Sequence, residues 1–569
     1  MKTNTRNFLV LPAILCMLPA LVNSQQIPLP DFNKKTVHHE VPDDPYLPNP
    51  YTMNKVSTLK KYMGSGFSMV QVNVNSNGEN ILGDAANEPS IAIDPTDPDK
   101  MVIGWRQFDN VNSNFRQAGY GYSTDGGQSW TFPGVIQPGV FRSDPVLDYD
   151  TSGIFYFNSL TSGGGNFSCQ VFKSLNGGAL WDAGTDAHGG DKQWMAIDRS
   201  GGWGTGNIYS SWTAMYSSCQ PGFFTRSTDG GNFFEGCSEI PGQPYWGTMA
   251  VNSDGDLYVA GSGGWYGILV AKSTNAQDPG STVSWDFAVS VDLDGYLTAQ
   301  TAVNPAGLLG QVYIDVDRSL GPGQGNVYLL ASVVRFSISD PADVMFSRST
   351  DGGLTWSAAV RVNDDQSMAN YQWFGTMSVA PNGRIDAVWL DTRDAPSGQL
   401  FSSLYYSYSL DQGETWSANE KLTDYFDQSI GYPQQEKMGD YFDMESDETG
   451  AHLAWANTFN DEEDVYYSRI ISDITSIEPG DMSHDPLFLS CFPNPFCDRI
   501  TIRYTIPRDG DVRIVLYNSC GKEITTLLHQ KRTAGTYTLE LVSDLAPRYY
   551  ECCLTSGGQS KHIGLIKVR

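Results

Sequence analysis

At 569 residues the chain exceeds one ordinary compact domain, and Gly 58, Trp 14 and Tyr 29 with only 18% charged residues suit short strands joined by tight turns. The formal charge of −28 is uneven: residues 25–484 hold 23 Lys+Arg against 56 Asp+Glu, a net −33, whereas residues 485–569 hold 11 against 8. A surface this acidic repels phosphate backbones and anionic lipids, so nucleic acid and membrane-surface partners are excluded, and a soluble monomer is expected.

The first element is a secretory signal over residues 1–24. Lys2 and Arg6 give a positive start, Phe8 to Val22 is apolar but broken by Pro12 and Pro19, and Val22-Asn23-Ser24 precedes a cut at Gln25. No later segment has the length to span a bilayer. Residues 25–64 are Pro-rich and read as an extended lead-in. Export permits disulfides among the eight remaining cysteines, and proximity favours Cys219 with Cys237 and Cys491 with Cys497. No Cys/His spacing suggests zinc, and isolated Cys169 reads as a buried thiol.

Phe67 to Val74 alternates like a strand. Seven copies of a strand–turn–strand unit follow, beginning at Ser90, Pro145, Gln193, Gly247, Gln311, Gly375 and Asp440. The seventh is one strand short, so residues 67–74 are expected to pair into it and close a ring, removing an exposed edge. The expected fold is all-β: a seven-bladed β-propeller over residues 65–470, a linker over 471–486, and a small Ig-like β-sandwich over 487–569. Asp94, Asp97 and Asp99 in the first unit could hold a structural calcium, although a turn cap is the plainer expectation; no other cofactor is expected.

Most units are followed by a turn of the form Ser-x-Asp-x-Gly-x-x-Trp. It is clear at Ser123–Trp130, Ser349–Trp356 and Ser409–Trp416, weaker at Ser174–Trp181 and Ser227–Phe234, and stretched between Ser273 and Trp285. The Asp or Asn (Asp125, Asn176, Asp229, Asp351, Asp411) accepts backbone N–H groups, the glycines supply left-handed angles, and the aromatic drops into the seam between sheets. These turns resemble the Asp-box, or BNR repeat, of sialidase-like propellers, where they lie away from the active site.

The tail opens with Cys491-Phe-Pro-Asn-Pro-Phe496, then predicted strands Ile500–Ile506 and Val512–Tyr517, the turn Asn518–Gly521, Gly535-Thr-Tyr537 and Ile563–Arg569. In that order these features resemble the C-terminal sorting domain of type IX secretion cargo. The resemblance implies transfer across an outer membrane, secretion or surface attachment, and the secretion machinery as a partner.

Ligand sites in propellers gather where innermost strands begin and second strands end, around the axis. Those positions supply Glu88, Arg142, Asp144, Asp191, Lys192, Trp194, Trp246, Trp373, Asp440 and Tyr441, with Arg106 and Arg393 from second strands. The sialidase resemblance implies Arg106, Arg142 and Arg393 on a substrate carboxylate, Tyr441 as nucleophile with Glu88 as its partner, and Asp144 as acid/base. Asp191, Trp194, Trp246, Trp373 and Asp440 then complete a substrate surface. Three functions stay open: a glycoside hydrolase of the sialidase-like type, a non-catalytic propeller binding glycans or proteins, or a polysaccharide lyase, for which Tyr441 would be the base beside Arg393. Convergence of the three arginines beside Tyr441 favours the first; a plugged axis favours the second.

Overall fold

The computed structural model describes residues 44–49, 56–57, 61–63, 66–163, 166–263, 267–471, 488–492, 496, 499–506, 508–518, 522–533, 535–542, 545–546, 548–557 and 559–568. The predicted signal, most of the lead-in, the linker beyond Ile471 and Cys497 lie outside them, and with Cys497 the proposed Cys491–Cys497 pair. The chain divides into two units, Met1–Ser472 and Asp473–Arg569. Among the described residues no helix is long and apolar enough to cross a membrane.

The first unit is a seven-bladed β-propeller of antiparallel sheets. Blade 1 is Ala85–Ile93, Met101–Phe108, Gln117–Ser123 and Thr131–Ile136; blade 2 runs from Ser143–Tyr149 to Thr185–Asp186. Blade 3 has three strands from Trp194–Ile197, and blade 4 four strands from Met249–Val251. Blades 5, 6 and 7 begin with Tyr313–Val316, Gln372–Val379 and Asp443–Ser446. We call the face where these innermost strands begin the upper face.

The ring closes through the N-terminus. Phe67–Gln71 pairs antiparallel with Asp464–Ile471 in the register Phe67↔Ile470 to Gln71↔Tyr466, giving blade 7 its fourth strand. The lead-in adds more than an approach: Lys61–Met63 pairs with Met63↔Ser68 register as a fifth strand. Pairing first and last segments leaves blade 7 no open inner seam.

Each Ser-x-Asp turn closes in the same way. In blade 1 the Gly127 N–H donates to Ser123 Oγ at 2.9 Å and the Ser129 N–H to Asp125 Oδ1 at 2.9 Å. Asn176, Asp229, Asp351 and Asp411 accept the corresponding N–H groups. The stretched copy survives its insertion, with Ser284 N–H donating to Asn275 Oδ1 at 2.8 Å. Every aromatic whose ring contact is resolved packs on the preceding blade: Trp181 on Tyr120, Trp285 on Phe224 and Trp416 on Phe346, at 5.2–5.8 Å between centroids. Trp130 of blade 1 sits 5.4 Å from Tyr467 of blade 7, so the same seam seals the closure.

Cys219 and Cys237 form the expected disulfide, with Cα atoms 6.3 Å apart, and Cys169 is a buried free thiol. The Asp94 turn is capped by its own residues, the plainer of the two expectations. Asp94 Oδ1 accepts the Thr96 N–H and hydroxyl, Asp97 pairs with Lys100 at 2.9 Å, and the three carboxylates do not gather within ligating distance.

The second unit is a β-sandwich. Phe488–Phe492, Arg499–Ile506 and Gly535–Val542 form one sheet; Gly510–Asn518, Glu523–Arg532, Arg548–Ser556 and Gln559–Lys567 form the other. Ile502, Ile514, Leu516, Leu554 and Leu565 are buried between them, as the alternating strands predict.

Candidate functional site

At or near the start of the innermost strand of every blade one residue adopts left-handed backbone. The ring is Glu88 (φ 49), Asp144 (φ 48), Lys192 (φ 57), Trp246 (φ 58), Gly310 (φ 150), Phe374 (φ 55) and Gly439 (φ 92). In blades 1, 2 and 6 this coincides with a slip in strand register, between Asn87 and Ser90, between Ser143 and Val146 and between Trp373 and Thr376. Five of the seven carry a Cβ there, at about 1–3 kcal/mol of strain each, which persists only when surroundings over-determine it. The bulge turns charged side chains of different blades toward one another.

What converges is a sealed charge network. Lys192 Nζ lies 2.8 Å from Asp440, 3.3 Å from Asp191 and 3.4 Å from Asp144. Lys437 Nζ lies 2.6 Å from Asp440 and 3.0 Å from Glu88, and Glu88 pairs with Arg106 at 2.5 Å. Arg106 also donates to Gln435 Oε1. Arg116 lies close enough to act electrostatically on Asp144, Asp191 and Asp440. All these charged side chains are buried.

Burial and pairing separate the carboxyl groups. Burial pushes Glu88 up to about 7 against the pull of Arg106 and Lys437. Burial likewise raises Asp191 to about 6, opposed by Lys192. Asp144 is buried too, yet Lys192, Arg106 and the Ser143 hydroxyl hold it well below its ordinary value. Burial alone would discharge Lys192, but Asp144, Asp191 and Asp440 outweigh it.

A strap covers the network. The hairpin Ala299–Thr301 and Asn304–Leu308, inserted before blade 5, reaches to the segment that leads into blade 7. Leu308 N–H donates to Asp440 Oδ1 at 2.8 Å, Asn304 Nδ2 to the Gly439 carbonyl at 2.9 Å, and Met438 N–H to Asn304 Oδ1 at 3.0 Å. Asp440 is thereby committed through both oxygens.

Of the residues singled out from sequence, Glu88, Arg106, Asp144, Asp191, Lys192 and Asp440 meet in this network. Tyr441 and Trp194 lie beneath it, their rings 5.4 Å apart. The Tyr441 hydroxyl donates to the Pro145 carbonyl at 2.6 Å, and burial beside Glu88 and Asp144 pushes its pKa far up. Arg142 departs from expectation: it bonds Gln137, Gln170 and the Ser159 carbonyl and lies over the Phe172 ring within blade 2. Arg393 also stays in its own quarter, held by Asp391 at 2.8 Å and Asp364 at 2.6 Å, over Tyr405. The three arginines do not assemble around one substrate carboxylate. Trp373 donates to Ser402 Oγ at 3.0 Å inside the core, and Trp246 packs on Tyr245; both are buried wedges rather than ligand platforms.

Lys437, Arg116 and Gln435 belong to the network without a repeat position to mark them. The one sequence signal was Lys437, a lone cation three residues before Asp440.

The fold and axis together define a seven-bladed propeller with a plugged upper face. No protein-family model matches the chain, and no curated protein matches it. Among solved structures it is similar to a protein of unknown function from Dyadobacter fermentans, at 13% identity over 73% of this chain and 100% of that one, TM-score 0.40. It is also similar to the phage phi92 endosialidase, at 8% identity over 75% and 73% with TM-score 0.40, and to Trypanosoma rangeli sialidase, at 10% over 88% and 89% with TM-score 0.37.

Proposed function

We propose that the chain is an exported, surface-displayed binding propeller that recognises a glycan or protein without cleaving it. The observation that carries this is the commitment of every group a sialidase-type reaction needs. The Tyr441 hydroxyl is spent on Pro145, the arginines stand apart, and the axial carboxylates are buried and paired under a strap. A nucleophile and acid must reach substrate, and these cannot without dismantling the network. The signal-like start and the tail that resembles type IX cargo supply the address. Deleting residues 487–569 and following the propeller by cell fractionation tests that address; retention inside the outer membrane is the expected result.

One observation favours hydrolysis as a second reading. Glu88 at about 7 and Asp191 at about 6 stand beside Asp144, held low, a separation that acid/base pairs use. That reading requires the strap at residues 299–308 to lift. The full chain, screened on fluorogenic glycosides and on a glycan array, separates the two: binding without turnover supports the first, and turnover abolished by Glu88→Gln supports the second.

A further inference from the structure

The lower face carries an open channel that the network above does not use. It runs along the axis with a volume of about 290 Å³ and is walled by innermost strands of all seven blades. At about 30 Å³ per water this is room for a whole side chain rather than a single ion. Trp194 and Tyr313, with ring centroids 6.1 Å apart, lie between the channel and the charge network.

The walls are acidic. Asp148, Asp315, Asp443 and Glu445 line the channel, against Arg199 and Arg318 at its rim. Arg199 pairs with Asp148, and Arg318 with Asp315 at 2.8 Å. Among the described residues no cation pairs with Asp443; it accepts from the Ser90 hydroxyl at 2.6 Å and the Ile91 N–H at 3.0 Å, stapling blade 7 to blade 1. Glu445 shares Arg199 with Asp148 and feels Asp443 as well. Burial pushes Asp443 up to about 7 and Glu445 well above its ordinary value, so a cation entering here would relieve both.

Two matching loops follow the innermost strands of blades 3 and 5 on this face, each beginning at the channel with its arginine and leaning onto a turn of the next blade. Asp198-Arg-Ser-Gly-Gly-Trp-Gly-Thr-Gly-Asn207 in blade 3 and Asp317-Arg-Ser-Leu-Gly-Pro-Gly-Gln-Gly-Asn326 in blade 5 repeat one pattern. Both fold alike: Ser200 and Ser319 N–H groups donate to Asp198 and Asp317 Oδ1 at 2.8 and 2.9 Å, and Gly206 and Gly325 N–H groups to the same residues' carbonyls. These bonded loops hold Trp203 at 85% exposure and Leu320 at 93%, while their arginines reach back to the channel rim. Leu175, Phe233, Leu354 and Leu410 are also exposed, all on Ser-x-Asp turns of this face. Single exposed apolar groups need no explanation; several on one face mark an interaction surface.

We propose that the lower face docks a protein partner which inserts a lysine or arginine side chain into the axial channel and packs apolar neighbours on Trp203 and Leu320. This deepens the binding reading and rests on it. Charge complementarity selects the occupant. An anionic glycan meets both the local carboxylates and the net −33 of residues 25–484. A neutral sugar supplies no charge to Asp443 and leaves Glu445 only its share of Arg199. A bare divalent ion has no cage, since among the described residues these carboxylates do not form a three-ligand cluster. A basic residue within an apolar patch satisfies walls and rim together.

The test titrates the full chain by calorimetry with an acetylated, amidated pentapeptide bearing one lysine between leucine pairs, and with its norleucine counterpart. The lysine peptide is expected to bind at least about tenfold more tightly, and to weaken as ionic strength rises from about 0.05 to about 0.5 M. Glu445→Gln and the double variant Trp203→Ala/Leu320→Ala should each lose most of that binding, whereas Met368→Ala, exposed on the upper face, should keep it. Unchanged melting of each variant separates lost binding from lost fold. Equal binding of the two peptides, or binding untouched by Glu445→Gln, overturns the proposal. If neither peptide binds while the chain captures glycans on an array, the lower-face assignment falls and the binding reading stands; if nothing binds, both fall.

Discussion

Replacing Lys192 by methionine keeps the length of the side chain and removes the ammonium that touches Asp440, Asp191 and Asp144 at 2.8–3.4 Å. All four side chains are inaccessible to solvent, so the three carboxylates are left with Lys437, Arg106 and Arg116 as their remaining cations. Removing one partner from a buried ion network costs about 3–5 kcal/mol, because the charge left behind is uncompensated. The loss must depend on pH. Asp191, already raised to about 6, takes up a proton more readily once the ammonium is gone, which relieves the variant in acid. Above that range each pH unit adds up to about 1.4 kcal/mol to the deficit. Urea unfolding of wild type and Lys192→Met, followed by tryptophan fluorescence at pH 5 and pH 8, measures this. A larger midpoint loss at pH 8 is expected. Equal midpoints at pH 8 would refute the claim that these charges are sealed from water.

Two further outcomes follow from closure and titration. Deleting residues 61–76 removes the outer strands of blade 7 and the Phe67–Gln71 ladder, so an aggregating or rapidly proteolysed chain is expected, read by gel filtration and limited trypsin digestion; a soluble, resistant monomer contradicts the closure. Glu88, Asp443 and Asp464 at about 7 and Asp191 at about 6 all stand above their unfolded values, chiefly through burial. Raised carboxyls stabilise the fold while protonated and lose that contribution as pH climbs through the folded value. Unfolding free energy should therefore decline between pH 5.5 and 8, and a profile that rises over that window rules the burial argument out.

The ring was legible because its signals are local. A Ser-x-Asp turn needs only its own eight residues, and the alternation of Phe67 to Val74 states a strand whatever it pairs with. Seven strand pairs then fix the blade count. The site was half legible for the same reason. Repeat register marked Glu88, Asp144, Asp191 and Asp440 as axial, and they are. It could not say where a long side chain turns, which neighbours within one blade decide: Gln170 draws Arg142 aside and Asp391 holds Arg393. Nor did the residues at left-handed positions, among them Glu88, Lys192 and Trp246, carry the glycine signal that usually betrays such backbone. The strap at residues 299–308 sits in an insertion outside the repeat, so its bonds to Gly439 and Asp440 had no periodic sign.

The central claim is that the upper axis is sealed and the chain binds without cleaving. The most direct measurement is turnover by the full, folded chain on a panel of fluorogenic sialosides, arabinosides and hexosides between pH 5 and 8. The account predicts release no faster than the blank for every substrate, with Tyr441→Phe indistinguishable from wild type. Turnover that disappears in Glu88→Gln or Tyr441→Phe would show that the network opens, and would contradict it.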